Sequence, residues 1–294
     1  VNFLSANNPT LAQALREAAQ TLRQQQVADA RREAASLLGH VLGRGYAYLL
    51  AHDDELLADK QANEFRAAVE RRAAGEPFAY ITGRKEFYGL DFAVTPDVLI
   101  PRPETELLVE KASQIIRRSG APALICDVGT GSGCIAVALL HKHRMARAVA
   151  LDISPAALRV AARNAARHGV NERLELVESD LFAALRPARQ FALIASNPPY
   201  VAAADIAGLQ REVRDHEPLT ALTPGPDGLE IVRRLLADAP PFLADGGHLL
   251  IEIGYDQGAA ARRLIDAQTW QFIDIYRDLQ GHPRAVALQK IIRS

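Results

Sequence analysis

From about residue 121 onward, short apolar runs alternate with helical patterns, and this alternation restricts the fold more than any other feature of the 294-residue chain. The strand-like runs are 123–126, 148–151, 173–177, 191–196, 248–254, 271–276 and 284–290. Helical spacing fills 134–142, 155–167, 228–238 and 257–266. Strands separated by helices pair in parallel, in a sheet covered on both faces. Ser154-Pro155 marks one helix start, with Ser as N-cap and Pro at the first helical position. Only residues 278–283 separate the last two runs, too few for a helical crossover, so an antiparallel edge pair is expected there.

The first 75 residues read as helices. Leu11, Leu15, Ala18 and Leu22 form one apolar stripe. A second pattern carries Ala34, Leu37, Leu38, Val41 and Leu42 and stops at Gly43, and a third runs near Ala62, Phe65 and Val69. A small bundle over 1–75 follows, suited either to holding a partner or to simple packing. Residues 86–94 alternate around Gly89 and read as a hairpin within a linker, 76–102, between two domains. Pro103 with Glu104 and Glu106 suits the first turn of a helix carrying Leu108, Ala112, Ile115 and Ile116.

With 34 basic against 35 acidic residues the net charge is −1, which argues against a protein that grips long DNA through its phosphates. Cys126 and Cys134 read as buried thiols of a reducing compartment. The start of the chain has no basic segment followed by an apolar run, and nowhere do eighteen apolar residues stand together. A cytoplasmic protein is expected.

Two motifs carry chemistry. The first is Asp127-Val128-Gly129-Thr130-Gly131-Ser132-Gly133, a glycine turn between a strand and a helix. Glycines there let a ligand approach the backbone at a helix N-terminus. Asp152 ends the next strand, roughly 20 residues on, where a carboxylate can accept from ribose hydroxyls. The spacing is G-x-G-x-G rather than that of most dinucleotide folds, and no Lys-Ser/Thr pair follows. An adenosine ligand without a pyrophosphate fits best. The second motif is Asn197-Pro198-Pro199-Tyr200, which ends the apolar run 191–196. Two prolines fix φ and remove two donors, leaving a rigid corner with an Asn side chain, free carbonyls and a Tyr ring. Such a corner suits a planar amide or amino group; taken alone it equally suits a turn that merely ends a strand.

In this order the two motifs and Asp152 resemble the class I S-adenosylmethionine-dependent methyltransferases, in their amino- and amide-methylating branch. With Glu86-Phe87-Tyr88-Gly89-Leu90, the run Leu99-Ile100-Pro101-Arg102-Pro103-Glu104-Thr105-Glu106, Glu217-Pro218, Asp227-Gly228-Leu229, and Asp278 with Gly281 and Arg284, the chain is similar to the bacterial release factor glutamine methyltransferases (the HemK/PrmC family). The resemblance covers nearly everything from about Gly75. It implies a Rossmann-like seven-stranded methyltransferase domain over 103–294, mostly parallel with an antiparallel C-terminal edge, a hairpin linker, and a helical substrate-recognition domain over 1–75. It also implies S-adenosylmethionine as cofactor, and as partner the Gly-Gly-Gln loop of peptide chain release factors, whose glutamine is methylated on the amide nitrogen.

Residue by residue, the resemblance places the methionine part of the cofactor on Gly129, Thr130, Gly131, Ser132 and Gly133, its ribose on Asp152, and its adenine beside Asp180 and Leu181. Relatives often carry an aromatic at the position of Leu181, so Phe182 is an alternative wall. Asn197, Pro198 and Tyr200 would be catalytic, with Asn197 touching both cofactor and substrate. Pro199, Phe87 and Arg102 would join the substrate site, Tyr200 and Phe87 sandwiching the amide. His141 and His143 read as solvated side chains at a helix end rather than metal ligands. Rival readings are a DNA adenine methyltransferase using the same corner on a flipped base, a methyltransferase of ribosomal protein or RNA, and a binding module with a vestigial cofactor site. Near-zero charge and the intact motifs weigh against them.

Overall fold

The computed structural model describes residues 8–119, 122–187 and 190–292; the first seven residues of the expected helical domain and the last two of the chain lie outside them. The chain forms two compact units. One comprises the residues up to Gly83 together with Gln210–His216, and the other comprises Arg84–Leu209 and the remainder from Glu217.

The helical unit holds α1 (Leu11–Gln24), α2 (Ala30–Leu42), α3 (Tyr46–Ala51), α4 (Asp59–Ala73) and α5 (Phe78–Thr82). Thr10 opens α1 with a capping box: its hydroxyl accepts from the Gln13 amide and the Gln13 side chain accepts from the Thr10 amide. Gly43 closes α2 in the left-handed conformation. The apolar stripes meet in a core of Leu11, Leu22, Leu37, Leu38, Phe65 and Val69. Arg72 of α4, 8% exposed, pairs with Glu33 at 2.9 Å and with Glu212 of the 210–216 segment at 2.8 Å. That segment therefore belongs to the helical unit although the sequence places it far downstream.

The second unit begins with the hairpin β1 (Arg84–Phe87) and β2 (Leu90–Ala93). This corrects the expected linker 76–102. Its first part is α5, whose Phe78 and Ile81 pack on the helical core, and its hairpin is part of the sheet unit. The reason is apolar burial combined with one bidentate side chain. Phe87 and Phe92 sink into the larger core, and Asn164 both accepts from the Ala93 amide (2.7 Å) and donates to the Ala93 carbonyl (3.0 Å).

After the hairpin come α6 (Thr105–Ser119), β3 (Leu124–Val128), α7 (Cys134–Lys142), β4 (Arg147–Asp152), α8 (Pro155–Arg167), β5 (Leu174–Glu178) and β6 (Phe191–Ser196). They are followed by α9 (Arg211–His216, of the helical unit), α10 (Leu219–Leu222), α11 (Glu230–Asp238), β7 (Leu243–Glu252), α12 (Gly258–Arg263), β8 (Trp270–Arg277) and β9 (Pro283–Lys290). Helix α6 starts at Thr105; Pro103 and Glu104 form the turn before it. The seven described strands of the large sheet run in the order β5-β4-β3-β6-β7-β9-β8, parallel from β5 to β7 and antiparallel at β9 and β8. The last two strands do pair antiparallel, but β9 sits inside against β7 and only β8 is an edge. The order reverses between β3 and β6, and a ligand crevice forms outside the carboxyl ends of strands at such a point. Both cysteines are buried thiols, not joined in a disulfide. No described helix is long and apolar enough to cross a membrane.

Candidate active site

A cleft of about 380 Å³ lies at the carboxyl ends of β3, β4 and β6, lined by the glycine loop, Asp152, Leu181 and the Asn197–Pro199 corner. On the β3 side the backbone is folded onto itself. The amides of Gly129 and Thr130 both donate to the Leu151 carbonyl, at 2.8 and 2.9 Å. Asp127 is fully buried, and its Oδ2 accepts from the Thr130 hydroxyl at 2.7 Å and the Ala136 amide at 3.1 Å, tying the loop to the first turn of α7. Burial pushes its carboxyl up to about 6, against those two bonds. Gly133, at φ 81°, cannot be replaced without crowding: a Cβ there would sit 3.1 Å from that of Ala161.

Asp152 uses one oxygen for the Gly131 amide (2.8 Å) and the other for the Ser154 amide (2.9 Å). A carboxylate has about four acceptor positions, so capacity remains on this cleft-lining side chain, which suits the hydroxyls of a ribose. Burial raises the Asp152 carboxyl too, and the backbone donors work against this. Leu181, held at φ 47° and 9% exposed, forms an apolar wall. Phe182 turns away and stacks on Phe242, centroids 4.8 Å apart, so Leu181 is the one that lines the cleft. Asp180 also lines it and pairs with Arg234 at 2.9 Å. Backbone-rich loop, acidic acceptor and apolar wall together fit an adenosine-bearing sulfonium cofactor.

The β6 side is built from side chains. Ser196 donates to the Val128 carbonyl at 2.8 Å, pinning the two strand ends together. Asn197 donates through Nδ2 to the Thr105 hydroxyl at 2.9 Å, while its buried Oδ1 has no partner among the described residues. Beyond the prolines, Gln257 donates to the carbonyls of Tyr200 (2.9 Å) and Gly228 (3.3 Å) and accepts from the Gly254 amide (2.9 Å). Gly228 has φ 70°, and a Cβ there would fall 2.2 Å from the Tyr200 carbonyl oxygen, so only glycine fits. Burial pushes the Tyr200 hydroxyl up to about 12. Arg102 lines the cleft and donates to Glu217 at 2.5 Å; Glu217 also accepts from the Ile100 amide at 3.3 Å.

Most of the candidates thus converge on one cleft: all five loop residues except Gly133, which closes the turn behind them, with Asp152, Asp180, Leu181, Asn197, Pro198, Pro199 and Arg102. Phe87 does not belong there. It is 1% exposed and meets Phe92 edge-on at 6.0 Å, because the hairpin turns that face inward; it is a core residue and is corrected as such. Tyr200 is partly buried and stands outside the residues that line the cleft. His143 is half-buried against the Ser113 hydroxyl at 2.8 Å rather than solvated, and burial lowers its pKa; His141 is exposed. The sequence alone does not single out Thr105, Gln257 or Glu252. Thr105 falls within the Arg-Pro-Glu-Thr-Glu run, whereas a Gln in a helix start and a Glu ending a strand carry no local signal.

Comparison with known proteins agrees with this geometry. The family model described as the PrmC N-terminal domain matches residues 13–83, and that described as the methyltransferase small domain matches 103–213. A release factor glutamine methyltransferase of Nitratidesulfovibrio vulgaris is 42% identical over 288 residues, 97% of either chain. One from Cereibacter sphaeroides is 45% identical over 276 residues, covering 94% of this chain and 97% of its own. Among solved structures, the hMettl16 catalytic domain in complex with MAT2A 3'UTR hairpin 6 aligns with a TM-score of 0.55 at 16% identity, over 82% of this chain and 86% of that one. A methyltransferase from Pyrococcus furiosus aligns at 0.52 and 18%, over 77% and 98%. At such identities these two likenesses bear on the fold alone, and the fold is the Rossmann-like methyltransferase sheet.

Proposed function

The chain belongs to the release factor glutamine methyltransferases, and from that premise we propose that it methylates the side-chain amide nitrogen of the glutamine in the Gly-Gly-Gln loop of class-one peptide chain release factors. S-adenosylmethionine is the cofactor of the family and supplies, when bound, a methyl group made electrophilic by its sulfonium. The observation that carries the reading is the buried, unpartnered Oδ1 of Asn197 on the wall of the cleft. A buried acceptor with nothing to accept costs about 1–3 kcal/mol, which a donor arriving with the substrate recovers.

An amide nitrogen is a weak nucleophile because its lone pair is delocalised into the carbonyl. What the protein contributes is therefore orientation and charge stabilisation. The glutamine NH2 donates one bond to Asn197 Oδ1 and one to the Pro198 carbonyl, both acceptors facing the positive charge that develops on nitrogen as the N–CH3 bond forms and the S–CH3 bond breaks. The two prolines keep the acceptors in place, so little reorganisation accompanies the transfer. Arg102, fixed by Glu217, shapes the entrance. The nitrogen then loses its proton to water.

The test is methyl transfer from radiolabelled S-adenosylmethionine to purified release factor, and to the same factor with its Gly-Gly-Gln glutamine changed to alanine. Label on the first and none on the second is expected. Label on both would move the acceptor elsewhere. Label on neither, with cofactor binding intact, would turn attention to nucleic acid or ribosomal substrates.

A further inference from the structure

Glu252 is the last residue of β7, in register with Ala285 of β9, and it is 1% exposed. Neither of its oxygens closes a hydrogen bond of good geometry among the described residues. Buried carboxyls without partners are rare in folded proteins and usually point to use. Of the groups that act on this carboxyl, the Thr105 hydroxyl, itself 1% exposed and the first residue of α6, most favours its ionised form. That same hydroxyl receives the Nδ2 proton of Asn197 at 2.9 Å.

The chemistry of a hydroxyl makes this alignment informative. It has one proton and two lone pairs. With one lone pair engaged by Asn197, its proton is left for Glu252. An ionised carboxylate can only accept, so it draws the Thr105 proton to itself and leaves the oxygen as an acceptor towards Asn197. The Asn197 carboxamide must then give its NH2 to Thr105 and its Oδ1 to the cleft. A protonated Glu252 reverses the constraint. It donates to Thr105, frees the hydroxyl proton for Asn197, and lets the carboxamide turn its NH2 towards a substrate NH2, donor against donor.

We propose that Glu252, acting through Thr105, is the positioning residue that keeps the acceptor oxygen of Asn197 turned towards the substrate amide. The inference rests on the amide-methylating reading above and says how its central residue is oriented. Burial lifts the Glu252 carboxyl to about 7; the Thr105 hydroxyl, then Arg284 and Arg102, favour its ionised form, and Glu104 opposes it. Arg284 is paired with Asp278 at 2.8 Å and Arg102 with Glu217. Tyr200 and Cys134, which also feel Glu252, are each pushed up to about 12 and stay neutral. Productive orientation therefore grows as pH rises through about 7.

The experiment measures kcat and KM for methyl transfer to intact release factor across the neutral range, with thermal melting and cofactor affinity as controls of folding. In the wild type kcat rises with an acid limb near 7. Glu252→Gln, which keeps shape but can donate as well as accept, should lower kcat about tenfold with KM little changed, and remove the acid limb near 7. Thr105→Val should lower kcat by about 10–100-fold and abolish the limb near 7, and Thr105→Ser should restore both. Glu252→Gln with the wild-type rate and limb, or Thr105→Val with the limb unmoved, overturns the positioning role and leaves the proposed function standing. A wild type that transfers nothing to release factor overturns both.

Discussion

Along β3 and β4 the amides of Gly129, Thr130, Gly131 and Ser154 all find acceptors within the protein, in the Leu151 carbonyl and the Asp152 carboxylate. Across the cleft, at the end of β6, Asn197 Oδ1 is an acceptor without a donor among the described residues, and at the end of β7 behind it so are both oxygens of Glu252. The cofactor wall is mainly a backbone cradle, in which Asp127 Oδ1 and the Ser132 hydroxyl are the side-chain atoms without a partner among the described residues. The substrate wall is a set of side chains with acceptor capacity in surplus. The difference teaches which kind of change each wall tolerates: substitutions on the first act through shape and affinity, and those on the second act through charge and rate.

The largest expected effect breaks the substrate wall. Asn197→Ala should lower kcat about 10²–10³-fold while melting changes little, as stopped-time labelling and calorimetry would show. Near-normal turnover would dissolve the contrast between the walls. Next comes the stability of Glu252→Gln against pH. The folded-state carboxyl at about 7 lies above its ordinary 4.5, so the folded protein holds that proton more tightly than the unfolded chain does. Wild-type stability should therefore fall relative to the variant as pH rises from 4.5 to 7, by on the order of 3 kcal/mol in all. Parallel melts at the two ends of that window read the difference; a wild type that gains on the variant with rising pH would contradict a buried, poorly satisfied carboxyl.

On the cofactor wall, Asp152→Ala should weaken S-adenosylmethionine binding about 10–100-fold, measured by titration calorimetry, with a much smaller change in kcat at saturating cofactor. A loss confined to kcat would erase the division of labour. The smallest effect sharpens the comparison by standing outside it. Phe87→Leu should cost about 1 kcal/mol of stability and leave kcat and cofactor affinity alone, since Phe87 belongs to the core.

The parts legible in the sequence were those whose signals are local. A glycine turn between an apolar run and a helix, an acid at the next strand end and two prolines closing another strand each announce their geometry within a few residues. The starts of helices 134–142 and 155–167 are legible because Gly133, Ser154 and Pro155 mark them. What escaped depended on tertiary placement. Alternation around Gly89 reveals a hairpin, but both faces carry apolar residues, so it does not say that Phe87 points into the core. Thr105 meets Asn197 across 92 positions of sequence, and nothing local to either predicts the bond. Helix 211–216 lies outside the helical patterns of the sequence, and its six residues carry no local sign of which core they join.

That last segment changes how the protein can be cut and recombined. Because the helical unit includes Gln210–His216, a single cut at Gly83–Arg84 leaves that unit composed of two separate polypeptides held together by packing and the Arg72–Glu212 pair. An isolated fragment ending at Gly83 would lack Glu212, one of the two carboxylates that satisfy the nearly buried Arg72. Inheritance follows the same logic. The N-terminal helices are not an exchangeable cassette that recombination could set before another catalytic domain; whatever replaces them must also fit a helix returned from within the methyltransferase sequence.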